Sequence, residues 1–192
     1  MWDLLPSNVK LSIIVISAIS GFFLFNQCFE YSFMRSISST VTLLAFSALV
    51  YGKYLWKYCY PNFLKENFCP DFNGKWIATI KSNYEGDTEV SFPLEIEANF
   101  FSVKMKGPTT VGQTHAKYCK IIRMEDDSFG LEYMYKVFND RQSKTDTSFY
   151  EGAARLRVTD IKTMELKGVY WTNRCWKKGL NTAGEINLVK EK

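Results

Sequence analysis

The chain has 192 residues, 46% of them hydrophobic and 23% charged, and a formal net charge of +4. The first 56 residues hold three of the 24 basic and two of the 20 acidic side chains, which leaves 21 against 18 in the polar remainder. That balance excludes a nucleic-acid groove driven by bulk charge, while a small pocket holding one or two cations stays open.

Met1 to Lys10 is a short polar start. Leu11 to Phe29 follows without a single charge, and its 19 residues form a helix of about 28 Å, enough to span a bilayer core. The run is longer than a signal-peptide core and no small-x-small cleavage site follows it, so a retained transmembrane helix is expected. Glu30 to Ser36 connects it to a second apolar run, Ile37 to Trp56, whose only charge, Lys53, lies near the end and can snorkel to the headgroups. Tyr51, Tyr54 and Trp56 cluster there as an interfacial aromatic belt.

Lys10 precedes the first helix, and Lys53, Lys57 and Lys65 flank the far end of the second, while the connection has no net charge. The positive-inside rule then puts both termini in the cytoplasm. Serines and threonines dot both spans, either satisfying themselves on the helix backbone or forming close helix–helix contacts. Lys57 to Pro70 reads as an aromatic linker broken by Pro61 and Pro70, its Tyr58, Tyr60, Phe63, Leu64 and Phe68 lying along the headgroups or plugging the domain that follows. The expected division is a transmembrane hairpin over residues 1–57 (helices about 11–29 and 37–56), a linker over 58–70 and a β domain over 71–192.

From Asp71 the hydrophobic period changes to two. Strands are expected at Gly74–Ser82, Glu89–Ala98, Phe100–Lys106, His115–Met124, Phe129–Phe138, Tyr150–Thr159, Met164–Asn173 and Gly184–Val189. Short polar turns such as Glu85-Gly86-Asp87 and Glu125-Asp126-Asp127 join them. Eight short antiparallel strands predict an all-β, up-and-down, lipocalin-like barrel, whose closure removes exposed edges. Alternation turns Trp76, Ala78 and Ile80, Phe92, Leu94 and Ile96, Val103 and Met105, Leu131, Tyr133, Tyr135 and Val137, Gly152, Ala154, Leu156 and Val158, and Leu166, Gly168, Tyr170 and Thr172 to one face. The charged residues between them take the other, so the barrel stands in water; a lipid-embedded barrel needs the reverse pattern.

Eight strands enclose just enough room to be filled by side chains or to hold one small ligand. Small inward residues (Gly152, Ala154, Gly168) beside Tyr135, Tyr150 and Tyr170 leave space next to stacking surfaces. The alternation that passes Tyr170 and Thr172 reaches Arg174, and an inward cation calls for an anion. Thr172, Asn173, Arg174, Trp176, Asn181 and Thr182 gather donors, a guanidinium and an indole, a set suited to phosphate and base. The alternative is that the tyrosines are core and Arg174 bonds a nearby Glu or Asp.

No catalytic constellation is visible. His115 is the only histidine and has no nucleophile pattern around it, and Cys119 and Cys175 have no base assigned. Five cysteines (Cys28, Cys59, Cys69, Cys119, Cys175) without Cys-x-x-Cys spacing make neither a disulfide framework nor a metal signature, so thiols, no metal and no enzyme are expected.

Asn73-Gly74-Lys75-Trp76, Leu131-Glu132-Tyr133-Met134-Tyr135, Tyr150-Glu151-Gly152-Ala153-Ala154, Leu166 to Arg174 and Asn181 to Ile186, following two apolar helices, form an ordered set. With them the chain resembles the two-transmembrane β-barrel effectors of bacterial CBASS anti-phage defence along nearly its whole length. The resemblance implies a receptor at the bacterial inner membrane whose barrel binds a cyclic dinucleotide made by a partner nucleotidyltransferase. Binding would drive homo-oligomeric assembly of the helices and disrupt the lipid bilayer, an abortive infection, with no DNA or RNA partner and no cofactor beyond the nucleotide. The runner-up is a membrane-tethered barrel that binds a lipid or other apolar ligand. Arg174, Asn173 and Asn181 facing inward favour the nucleotide, and the same groups facing water favour the lipid.

Overall fold

The computed structural model describes residues 1–58, 60–61, 65, 68–83, 88–109, 112–139 and 148–191, with the backbone alone for 88, 108–109, 112–113, 115 and 139. The chain divides into two units: Met1–Pro61 with Asn99–Phe101, and Asn62–Ala98 with Ser102–Lys192.

The first unit is a helical hairpin. Helix α1 covers Ser7–Phe23 and runs on through a π-helical turn at Leu24–Cys28; α2 covers Phe33–Val50 and runs on through a second one at Tyr51–Leu55. With these turns the helices have 22 and 23 residues, or about 33 and 35 Å, and are long and apolar enough to cross a membrane. Both begin four residues before the expected 11 and 37, and the connection shrinks to residues 29–32. Bilayer hydropathy is bounded by Lys10 and Arg35, whereas the backbone ladder is indifferent to them. It starts where Pro6 and Ser32 hold extended dihedrals as N-caps.

The connection is closed by Asn26 Nδ2, which donates to the Tyr31 carbonyl at 3.2 Å, and by Tyr31 stacked on Phe25 at 5.7 Å. At Gly21 an added Cβ would stand 2.8 Å from Thr40 Cγ2, so glycine lets the helices meet there. Both readings of the hydroxyl residues meet at this contact. Ser36 and Thr40 are buried at the helix pair, and Thr40 Oγ1 donates to the Ser36 carbonyl at 2.8 Å. Thr42 does the same to Ser38 at 2.9 Å on the exposed side. Of the linker aromatics, Tyr58 is exposed, Phe68 is half-buried, and Tyr60 is buried against Trp56, their rings 5.8 Å apart; Phe63 and Leu64 lie outside the described residues.

The second unit is a closed antiparallel barrel in which β1 to β8 follow chain order and β8 pairs with β1. The strands are β1 Gly74–Ser82, β2 Thr88–Ala98, β3 Val103–Thr109, β4 Gly112–Arg123, β5 Phe129–Asn139, β6 Phe149–Asp160, β7 Glu165–Thr172 and β8 Ala183–Lys190. All eight strands lie within three residues of expectation at each end. The third starts at Val103 rather than Phe100, because Asn99 Oδ1 accepts from the Phe101 N–H at 2.9 Å and turns the chain first. Phe100 and Phe101 pack within the first unit instead, around Trp2 at 6.1 and 6.0 Å. The turn at Glu125–Asp127 forms as expected, with Asp127 at φ 62° and Asp126 Oδ1 accepting from Ser128. The turn at Glu85–Asp87 lies outside the described residues.

The alternation assigns the faces as expected. Trp76, Leu131, Leu156, Leu166 and Leu188 are fully buried inside, each leucine contributing about 1.5–3 kcal/mol of burial. Outside, Arg155 pairs with Glu132 at 2.6 Å and Lys117 with Glu151 at 2.9 Å; such exposed pairs contribute little to stability. The bend of so small a barrel needs glycine at its tightest crossings. A Cβ on Gly168 would fall 1.9 Å from the Arg155 carbonyl oxygen, and one on Gly184 1.8 Å from that of Lys81, at the β1–β8 closure. Phe72 and Trp76 seal one end of the interior, stacked at 6.4 Å, with the indole N–H donating to the Phe72 carbonyl at 2.9 Å.

Candidate functional site

The sealed end and the leucine layer above it fill half of the barrel. The other half, toward the ends of β1, β3, β5 and β7, encloses a cavity of about 230 Å³. Its inward residues fall into rows set by strand register. One row runs Cys119, Tyr133, Ala154, Tyr170, Gly184; the next runs Ala116, Tyr135, Gly152, Thr172; the outermost runs Gly107, Thr114, Val137, Tyr150.

Small residues alternate with tyrosines along these rows, and this leaves room. At Gly152 a Cβ would come within 2.6 Å of the Tyr135 hydroxyl oxygen and 2.8 Å of the Trp171 carbonyl, so the glycine makes the place that the Tyr135 ring occupies. Tyr133 and Tyr135 sit side by side on β5 with ring centroids 5.7 Å apart. Burial pushes both phenols well above the usual tyrosine range, and for Tyr135 the neighbouring Tyr133, Tyr150 and Tyr170 add to it. Both stay protonated and can donate a hydrogen bond to a ligand.

Arg174 is half-buried just past the end of β7. Its guanidinium lies 5.8 Å from the Tyr150 ring centroid, and its backbone N–H donates to Thr172 Oγ1 at 3.3 Å. Thr172 and Thr182 are buried together, their hydroxyls 2.8 Å apart, and the Thr172 N–H donates to the Thr182 carbonyl at 2.8 Å. These bonds tie the chain leaving β7 to the chain entering β8 and hold the arginine at the rim of the cavity.

Of the eight residues expected to meet a ligand, Tyr135, Tyr150, Tyr170, Thr172, Arg174 and Thr182 line this one cavity. Asn173 and Asn181 do not. Asn173 faces outward, where its side-chain oxygen accepts from the Glu151 N–H at 2.7 Å and its own N–H donates to the Glu151 carbonyl at 2.9 Å, a clasp between β6 and β7. Asn181 is exposed, as is Trp176. Ile80 and Phe92, both expected on the inward face, line it as well, and so do Ser82, Val90 and Thr114, which the expected inward set lacks. The parity of Trp76 and Ala78 reaches Ser82, and that of Leu94 and Phe92 reaches Val90, so alternation alone finds these two, whereas Thr114 precedes the expected start of the fourth strand.

Among the described residues no cluster of three His, Cys, Asp or Glu side chains could hold a metal ion. The four described cysteines are thiols; burial pushes those of Cys69 and Cys119 up to about 12, so neither is a ready nucleophile at neutral pH.

A closed barrel with a tyrosine-walled cavity and a guanidinium at its rim is built as a small-ligand-binding barrel, and two membrane-length helices precede it in the chain. Comparison with known proteins narrows the class. Residues 67–190 match the family model described as Cap15, cyclic dinucleotide receptor domain. The CD-NTase-associated protein 15 of Escherichia albertii is 60% identical over 191 residues, covering 100% of this chain and 98% of that protein. A protein of the same name from Staphylococcus schleiferi is 26% identical over 156 residues, 81% of this chain and 79% of its own length. The chain belongs to the CD-NTase-associated protein 15 family.

Proposed function

We propose that this chain is a membrane-anchored receptor for a cyclic dinucleotide and an effector of CBASS anti-phage defence. A partner nucleotidyltransferase supplies the messenger, the barrel of residues 71–192 senses it without chemistry of its own, and the hairpin of residues 1–57 acts on the inner membrane, with 58–70 between them. The observation that carries the reading is the rim of the cavity. Half-buried Arg174 beside Tyr150 offers a guanidinium next to an aromatic face, a pairing suited to a phosphodiester attached to a base. The membership of residues 67–190 in a cyclic dinucleotide receptor family supports the same ligand class.

The test is a thermal-shift panel on the full chain in detergent micelles, with cyclic di-AMP, cyclic di-GMP and cyclic GMP–AMP beside a fatty acid. Ligand at a hundred times its Kd stabilises a native state by about 2.7 kcal/mol, which is read as a rise of several degrees in Tm. The apolar reading has its own support, since Ile80, Val90, Phe92 and Ile186 line the cavity while Asn173 and Asn181 face away from it. A shift with the fatty acid and none with any cyclic dinucleotide would establish the lipid-binding barrel instead.

The topology proposed is a multi-pass hairpin with both termini cytoplasmic, supported by Lys10, Lys53, Lys57 and Lys65 at the outer ends of the helices. A reporter fused after Lys192 is expected to be active only in its cytoplasmic form. Activity of a periplasmic reporter there would leave the barrel on the wrong side to meet a cytosolic nucleotide.

A further inference from the structure

We propose that Tyr133 is a ligand-contacting residue at the floor of the cavity, and that its hydroxyl meets an uncharged part of the nucleotide, base or ribose, rather than a phosphodiester; this inference rests on the cyclic dinucleotide reading. Tyr133 lines the cavity and is 5% exposed. Its hydroxyl makes no hydrogen bond to any described residue. The fully enclosed side-chain atoms without a partner among the described residues are Trp56 Nε1, Thr114 Oγ1 and Asn187 Oδ1. The Tyr133 oxygen is not one of them, so it keeps accessible surface, and for an inward side chain of this wall that surface faces the cavity. Tyr170, also 5% exposed and on the same wall, is in the same condition.

The register explains why no protein group answers. Tyr133 stands between Cys119 of β4, a weak hydrogen-bonding group, and Ala154 of β6, which brings only a methyl. The row beneath it, Leu131, Leu156, Gly168 and Ile186, is apolar. The hydroxyls of Thr172 and Thr182, by contrast, satisfy each other at 2.8 Å. Burial keeps the Tyr133 phenol protonated, so it presents a neutral donor to the cavity. A ligand that carries an acceptor to the floor satisfies it, whereas a hydrocarbon chain would bury it unpaired at a cost.

Charge decides which part of the ligand it meets. Arg174 is the one charged side chain among the described residues of the cavity wall, and it stands past the end of β7, beyond Tyr170 and Thr172. Tyr133 is in register with Tyr170 through Ala154, in the innermost row of the cavity. A phosphodiester brought to that row would bury its charge where no cation lines the wall, which is costly. At the rim the guanidinium answers it. The floor is left to the parts of a cyclic dinucleotide that carry no charge and whose acceptors a phenol can serve.

The test is a double-mutant cycle on the full chain in detergent, with affinities for cyclic di-AMP, cyclic di-GMP and cyclic GMP–AMP measured by calorimetric titration. Tyr133→Phe removes the hydroxyl and keeps the ring. Its ligand-free Tm is expected to match wild type, because no protein hydrogen bond is lost, and its Kd for the best wild-type ligand to rise about tenfold. Tyr118→Phe removes an exposed hydroxyl from the outer face of β4 and is expected to bind within about twofold of wild type. Added to Arg174→Ala, the Tyr133 change is expected to multiply the loss to within about twofold, because the two side chains hold different parts of the ligand. Tyr133→Phe binding like wild type, melting well below it, or losing no more than Tyr118→Phe would each overturn the contact. A double variant no weaker than Arg174→Ala alone would put both groups on one phosphate and overturn the assignment to an uncharged part. A wild-type chain that binds none of the three is a different result and removes the cyclic dinucleotide reading itself.

Discussion

Arg174→Ala is expected to leave the barrel folded and to weaken cyclic dinucleotide binding ten- to a hundredfold. The fold prediction follows from which atoms do the structural work. The backbone N–H of Arg174 donates to Thr172 Oγ1, the Thr172 N–H donates to the Thr182 carbonyl, and the two threonine hydroxyls pair at 2.8 Å. None of these bonds involves the guanidinium, so removing the side chain leaves each of them in place. The binding prediction follows from the charge of the guanidinium at the cavity wall. A hydrogen bond to a charged group contributes about 1.5–3 kcal/mol, which is the stated range of affinity. Arg174→Lys keeps the charge and loses the planar fork, so its affinity should fall between the two. Calorimetric titration measures the affinity and a melting curve the fold. A large fall in Tm with unchanged affinity would make Arg174 a structural ion-pair partner, as the alternative reading of the sequence has it.

Much of the barrel is legible in the sequence because a strand with one buried face tolerates no slip: one residue of shift exchanges the two faces completely. Trp76 with Ala78, Leu131 with Tyr133, and Leu166 with Tyr170 therefore announce both the strands and their inward sides. Asn173 shows the same rule from the other direction. It stands between Thr172 and Arg174 in sequence, but a residue one step from Thr172 must face out, and there it clasps Glu151. Thr114 falls outside the expected fourth strand, which starts at His115, three residues after the observed start at Gly112. The two phenylalanines at 100 and 101 look like strand residues until the Asn99 side chain is known to turn the chain before them. The helix starts were hidden for another reason. Charge marks where a bilayer core ends, and nothing in that criterion reports where backbone hydrogen bonding begins.

Vesicle leakage should switch on with ligand along a sigmoidal curve, with a Hill coefficient of about two or more. A hairpin of two helices cannot enclose a pore, so damage to a bilayer requires several copies. The energetics require them as well. Turning a population from 1:99 to 99:1 takes about a 10⁴-fold difference in ligand affinity between the two states, and a contact of the Arg174 kind supplies ten- to a hundredfold. Two to four copies that change together multiply their separate differences and reach the total; one copy alone does not. The hairpin carries surfaces on which such copies could meet, since Ile16, Phe46 and Leu49 are exposed on a helix pair already locked together at Gly21 and Thr40. The measurement uses the full chain in phosphatidylethanolamine–phosphatidylglycerol vesicles loaded with a self-quenching dye and titrated with the strongest-binding member of the panel. No leakage is expected without ligand, complete leakage above the threshold, and a threshold displaced ten- to a hundredfold in Arg174→Ala, in proportion to its affinity. A hyperbolic curve would mean that each chain acts singly. The same leakage with and without ligand would mean that the barrel does not control the helices.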